Sequence, residues 1–253
     1  MPRTSIRRLS NQEAVCRNAA DEFVRCVAAA VATRGHFSVA LSGGSTPKRL
    51  YELLAERPFR DEIDWTRLEI FWGDERPVPP NHADSNYGMT RRALLSRVPL
   101  PEGRIHRLRG EAPDLDAAAR EYEEEIARVL DESPGGEPPR LDLVLLGLGP
   151  DAHTASLFPN TAALRESGRW VVANDVEKLD TRRLTMTALL LNRARRVLFL
   201  VAGRDKMEAL AGVLEGEFDP ERRPAQLIRP QAGELIWLAD EASLAGLGNG
   251  RPT

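Results

Sequence analysis

From Leu141 to Leu146 the chain is almost continuously apolar, the pattern of a strand buried on both faces of its sheet. A sheet built around such a strand must be covered on both sides. Two other segments show how the cover is supplied. Phe37 to Leu41 is a short apolar strand that runs into SGGSTP and then a helix carrying Leu50, Leu53 and Leu54, with Pro47 in its first turn. Leu68 to Trp72 is a strand followed by a polar loop to about Ser85 and a helix through Met89, Leu94 and Leu95. Further strands are expected at Trp170 to Val172, Leu184 to Met186, Val197 to Val201 and Leu235 to Leu238, with a helix from Asp205 to Leu214. Ahead of these, Val15, Ala19, Phe23, Val27 and Val31 recur every four residues between Ser10 and Arg34, an amphipathic helix that Ser10 and Glu13 would open as a capping box. A charged helix lies between Pro113 and Glu132, ended by the loop ESPGGEPPR. Strands alternating with helices, and no linker long enough to divide the chain, predict one α/β domain over residues 1–253 with a mainly parallel sheet covered by helices.

Charge excludes several partners. Lys and Arg number 35 against 38 Asp and Glu in 253 residues, a formal charge of -3, so no global positive field draws the chain to nucleic acid or anionic lipid. Any anion site must be local. Only three of the basic residues are lysines, Lys48, Lys178 and Lys206. The two cysteines, Cys16 and Cys26, are ten residues apart in one expected helix; their backbones would be about 15 Å apart, too far for a disulfide. The opening MPRTSIRRLSNQEAV has no signal-peptide apolar block, and no window approaches the ~20 apolar residues of a membrane span, so the expected location is the cytoplasm.

Ligands of parallel α/β sheets bind beyond the carboxyl ends of the strands, and every polar motif falls there. In LSGGSTP, Leu41 to Pro47, two glycines separate a buried strand from a helix whose first backbone N–H groups have no intrahelical partner. Gly43 and Gly44 let an anion approach the backbone, while Ser42, Ser45 and Thr46 add hydroxyl donors: a phosphate cradle, or else an ordinary tight turn with a cap. The loop WGDERPVP places Asp74, Glu75 and Arg76 after a strand, a constellation that suits catalysis or a solvated loop closed by a cap at Asp84 or Ser85. In GLGPDAHTASLFP, His153 stands beside Asp151 just past the buried strand, at what reads as a helix start, whose positive end would disfavour imidazolium and leave a general base. His36, His82 and His106 have no comparable setting and are read as surface or packing residues. Arg183 in RRLTMT and Lys206 in AGRDKMEAL begin or follow strands of the same expected sheet and could share a phosphate pocket, although either could be a mere surface charge. No cluster has a recognised metal-ligand spacing.

Taken in order, LSGGSTPKRLYELL, FWGDERPVPPNHADSNYGM, LDLVLLGLGPDAHTASLFP, RRLTMTALLLNRA, VAGRDKMEAL and RPAQLIRP with GELIWLAD resemble the bacterial-type 6-phosphogluconolactonases of the glucosamine-6-phosphate deaminase/6-phosphogluconolactonase family over nearly the whole chain. The resemblance implies a three-layer, modified Rossmann-like α/β fold with a mainly parallel sheet flanked by helices, a sugar-phosphate ligand and hydrolysis of 6-phosphoglucono-1,5-lactone in the oxidative pentose phosphate pathway, with no obligatory cofactor and a monomer or small homo-oligomer. It implies His153 as the base that deprotonates water, Asp151 in support, Arg76 facing the developing oxyanion and Lys48 as a second cation, with no covalent intermediate. Phosphate and sugar would be held by Ser42, Gly43, Gly44, Ser45, Thr46, Asp74, Glu75, Arg183 and Lys206. One departure stands out: Asp151-Ala152-His153 replaces the usual Asp-Gly-His, which strains the backbone if that position has positive φ.

The related deaminases carry an Asp-Glu-Tyr loop and a Gly-His-Ile-Ala-type segment where this chain has Asp74-Glu75-Arg76 and His153-Thr154-Ala155-Ser156, which favours the lactonase pattern. A sugar-phosphate sensor would keep the pocket without chemistry, but no helix-turn-helix extension or basic tail accompanies the domain. A metal-dependent lactonase lacks a ligand cluster.

Overall fold

The computed structural model of the chain describes residues 3–131 and 137–248. Its strands are β1 (Arg3–Leu9), β2 (Phe37–Leu41), β3 (Leu68–Trp72), β4 (Asp74–Glu75), β5 (Leu143–Gly147), β6 (Val171–Val176), β7 (Thr181–Met186), β8 (Arg196–Val201) and β9 (Glu234–Asp240). The helices are α1 (Gln12–Arg34), α2 (Ser45–Leu54), α3 (Phe59–Glu62), α4 (Asn86–Ala93), α5 (Leu115–Val129), α6 (Ala188–Leu191), α7 (Met207–Leu214) and α8 (Glu241–Leu244). Six strands form one parallel sheet in the order β1-β9-β8-β5-β2-β3.

The layers follow from register. Phe37 lies opposite Leu68 and meets Phe23 of α1 edge-on at 5.4 Å, whereas Phe71 lies opposite Ala40 and meets Tyr122 of α5. Successive residues of a strand point to opposite faces, so α1 and α5 cover opposite sides of the sheet. The Tyr122 hydroxyl also accepts from the Trp72 amide, at 2.8 Å, which fixes α5 along β3. Cys16 and Cys26 are free and buried on α1, and burial pushes the Cys16 thiol up to about 12.

Several sequence expectations are corrected. The first described element is β1, an edge strand that among the described residues pairs only with β9; its mixed, half-exposed sequence RTSIRRL carries neither alternation nor an apolar run. Helix α1 is capped by Asn11, whose side chain accepts from the Ala14 amide, while Glu13 is used by Arg17 and Arg49 instead of a capping box with Ser10. The segments around Trp170 and Leu184 are strands, but β6 and β7 belong with β4 to a second, antiparallel sheet rather than to the main one. The largest correction concerns residues after β5: GLGPDAHTASLF does not begin a helix. Gly149 and His153 close a loop through the Gly149 amide on the His153 carbonyl at 2.8 Å, and Ala152 and Ala155 sit at φ 62° and 48°, left-handed values that no continuing helix can use. Of the loop ESPGGEPPR, residues 132–136 lie outside the described residues.

His106 is a packing residue of a particular kind, held between Glu69 at 2.8 Å and Glu125 at 2.7 Å.

Ala152 takes the left-handed conformation in which glycine is unstrained, and it is buried. Left-handed backbone costs a non-glycine residue about 1–2 kcal/mol, partly offset by the roughly 0.5–1 kcal/mol of extra chain entropy that glycine loses on folding. Ala152→Gly is therefore expected to stabilise the protein by about 0.5–1 kcal/mol, read as a rise of roughly 1–4 °C in Tm. An unchanged or lowered Tm would show that the surrounding loop has already absorbed the strain.

Candidate active site

The carboxyl ends of β2, β3, β5 and β8, neighbours or near neighbours in the main sheet, open into one cavity of about 210 Å³. Ser42, Gly43, Gly44, Ser45 and Thr46 line it from the end of β2 and the start of α2, Asp74 from β4 and Arg76 just after it, His153 from the loop after β5, Lys206 from beyond β8 and Arg183 from β7. The glycine turn is held by Tyr51: its phenol accepts from the Ser42 amide at 3.0 Å and donates to the Ser42 carbonyl at 2.8 Å. Gly44, at φ 107°, enters α2 in a conformation that side-chain-bearing residues rarely adopt. The Ser42 hydroxyl is buried without a protein partner, so it retains its full capacity for a ligand.

His153 is oriented by its neighbours, not by a helix dipole. Its Nδ1 lies 2.5 Å from Asp151 Oδ1, and its ring stacks on Phe158 at 4.1 Å. A Cβ on Gly149 would lie 2.0 Å from the same Nδ1, so only glycine leaves room for the imidazole there. Burial opposes ionisation of Asp151, but the hydrogen bond and field of His153 and then the Lys178 ammonium, 3.1 Å from Oδ2, outweigh it and hold the carboxyl well below the usual carboxylate range. An ionised Asp151 can only accept, so Nδ1 carries the hydrogen and Nε2 is the ring nitrogen left for other contacts.

Arg76 and Arg183 face the same space, and the Nε of each is buried without a hydrogen-bond partner. Burial, followed by repulsion from Arg76, lowers the pKa of Arg183. The Arg183 guanidinium also lies over the Phe158 ring at 5.2 Å, on which His153 stacks as well. Arg76 Nη1 donates to the Asp84 carbonyl at 2.6 Å, but guanidinium groups with spare donors crowded together in a concave site still favour an anion with several oxygens. Lys206, paired with Asp205 at 3.0 Å, adds a third cation.

Asp74 accepts from Ser156 Oγ at 2.7 Å and from Asn86 Nδ2 at 3.2 Å, which ties the loops after β3 and β5 together.

Three expected site residues are not among those that line the cavity: Asp151, which meets it through His153, and Glu75 and Lys48. Glu75 is buried and directed away from it, accepting from the amides of Arg76, Asn86 and Tyr87 and from Ser85 Oγ at 2.8–3.0 Å. Burial nonetheless raises its pKa against these bonds. Its role is to anchor the start of α4, where Ser85 is the cap. Lys48 is exposed on α2 and reaches Glu52 at 3.9 Å. Conversely, Asn86, Ser156 and Phe158 were present in the quoted motifs without a role, because only the fold shows what they touch. Lys178 carried no signal at all beyond being one of three lysines. Among the described residues no group of three or more His, Cys, Asp and Glu side chains could hold a metal ion, and no helix is long and apolar enough to cross a membrane.

The family model for glucosamine-6-phosphate isomerases/6-phosphogluconolactonase matches residues 10–237. A 6-phosphogluconolactonase of Synechocystis sp. is 48% identical over 84% of this chain and 85% of its own length, and one of Nostoc sp. is 42% identical over 94% and 96%. The solved 6-phosphogluconolactonase from Trypanosoma cruzi superimposes with a TM-score of 0.82 at 31% identity, covering 98% of this chain and 97% of that one. The chain therefore belongs to the glucosamine-6-phosphate isomerase/6-phosphogluconolactonase family, as its motifs imply.

Proposed function

We propose that this protein is a 6-phosphogluconolactonase, which hydrolyses 6-phospho-D-glucono-1,5-lactone to 6-phospho-D-gluconate, the ring-opening step of the oxidative pentose phosphate pathway. The observation that carries the reading is His153, fixed at Nδ1 by an ionised carboxylate, in one cavity with Arg76, Arg183, Lys206 and the glycine turn. A lactone carbonyl is already electrophilic, so its hydrolysis needs an activated water, stabilisation of the oxyanion and a grip on the distant phosphate. His153 Nε2 takes a proton from water as its oxygen bonds to C1, and Arg76 faces the negative charge that develops on the carbonyl oxygen. Collapse of the tetrahedral intermediate breaks the bond from C1 to the ring oxygen, which receives the proton back from the imidazolium. Product leaves as the acid and a free C5 hydroxyl, with no covalent intermediate. Asp151 keeps the ring in its reactive tautomer, while Ser42 to Thr46, Arg183 and Lys206 hold the phosphate and turn remote binding energy into orientation of C1. Asp74 braces the pocket.

The test is a lactonase assay on freshly generated 6-phosphogluconolactone, coupled to phosphogluconate oxidation. Turnover well above spontaneous hydrolysis is expected, and no ammonia from glucosamine 6-phosphate. Ammonia release would reassign the chain to the deaminase branch; binding of 6-phosphogluconate without turnover would make it a sensor.

A further inference from the structure

At the other end of the main sheet lies a larger cavity, of about 640 Å³, that the catalytic reading does not use. It opens at the amino ends of β1, β8 and β9 and just before β5, so the length of a six-residue strand, about 20 Å, separates it from the cavity that holds His153. Six arginines line it: Arg3 from β1, Arg25 and Arg34 from α1, Arg196 from β8, and Arg140 and Arg195 from the connections before β5 and β8.

Their counter-charges are already committed. Asp142 accepts from Arg34 at 2.6 Å through Oδ1 and from the amide and hydroxyl of Ser38 through Oδ2. Glu22 takes Arg25 at 2.7 Å and Arg196 at 2.9 Å, and it also takes Arg7. Glu234 takes Arg196. Six arginines against two lining carboxylates, Asp142 and Glu234, with Glu22 outside the lining and shared with Arg7, leave a net positive concavity in a chain whose formal charge is -3. Spare donors remain. Arg195 Nε is buried 3.3 Å from Asp142 Oδ1, an ion pair without hydrogen-bond geometry, and Arg3 has no ion-pair partner among the described residues. Burial and then repulsion from Arg34 and Arg140 depress the Arg195 pKa against the opposing charge of Asp142.

We propose that this arginine-lined cavity is a second ligand site, for a small anion bearing two or more phosphate groups. The volume is that of a small-molecule pocket, and a concavity rather than an extended basic stripe argues against nucleic acid. Guanidinium forks pair with phosphate oxygens bidentately, so a chain of phosphates uses the surplus donors and relieves the mutual repulsion. A site on the opposite end of the sheet from His153 is occupied without competing with the sugar lactone.

Calorimetric titration at low ionic strength, where such contacts are least screened, uses two probes on the full chain: inorganic tripolyphosphate, and separately ATP. One equivalent of tripolyphosphate is expected to bind. Tighter binding of ATP assigns a nucleotide, and equal affinity assigns the phosphate chain alone. Arg195→Gln and Arg3→Ala should each weaken binding by about tenfold or more, whereas Arg183→Ala in the catalytic cavity should leave it unchanged. Arg3 contributes no ion pair to the fold among the described residues, so its variant keeps the test open if Arg195→Gln fails to fold. No binding at millimolar probe, or binding lost in Arg183→Ala and retained in the other two, overturns the proposal.

Discussion

His153→Ala is expected to lower kcat for 6-phosphogluconolactone by about 10²- to 10⁴-fold while leaving the affinity for 6-phosphogluconate nearly unchanged. That range is what a positioned general base typically supplies. The product contains neither the attacking water nor the developing oxyanion, so a side chain that acts only on those contributes little to product binding. The same logic separates Asp151 from His153. Asp151→Asn leaves an amide that can present its NH₂ to Nδ1, which would place the hydrogen on Nε2 and occupy the base, so a large loss in kcat is expected there as well. Both variants need the coupled assay with the spontaneous rate subtracted. Turnover by His153→Ala at the wild-type rate would remove the imidazole from the mechanism, and the Asp151 carboxylate with it.

Arg183→Ala and Lys206→Ala should raise KM for the phosphorylated lactone by roughly tenfold to a hundredfold, the worth of one hydrogen bond to a charged group. Unphosphorylated gluconolactone has nothing for these cations to hold, so its kcat/KM should change little. Two variants are needed because Arg183 has a second contact. Its guanidinium lies over Phe158, on which the His153 ring stacks, so its removal can also loosen the base. Lys206 lines the same cavity, pairs with Asp205 and offers the cleaner comparison. Equal losses on both lactones from Lys206→Ala would mean that the ammonium does not meet the phosphate.

The strands β2, β3, β5 and β8 were legible because each is a short apolar run between turn signals, and a strand buried on both faces has no other sequence to choose. The edge strand β1 was not, since one paired side and partial exposure relax that demand. The local argument for His153 rested on a helix start that the fold does not contain. A helix start was inferred from position after a strand, yet Pro150 and the left-handed Ala152 and Ala155 close a loop there, and the ring is set by Asp151, Phe158 and the bare backbone of Gly149. Glu75 shows the converse. It stands between two cavity residues in sequence, but the two-residue strand β4 alternates its side chains, and the carboxylate is turned to the amides at the start of α4.

By itself the sequence determined the alternating α/β order, the parallel sheet and the family, because these depend on apolar periodicity and on glycine and proline at fixed places along the chain. Only the tertiary structure decided which charges meet. Arg76 and Arg183 meet because β4, which Arg76 follows, pairs antiparallel with β7, Lys178 reaches Asp151 across 27 positions, and Arg3, Arg34 and Arg195 surround one cavity from three parts of the chain. Electrostatic and hydrogen-bonded contact depends on distance in space, and no spacing along a chain encodes that until the strands have been ordered side by side.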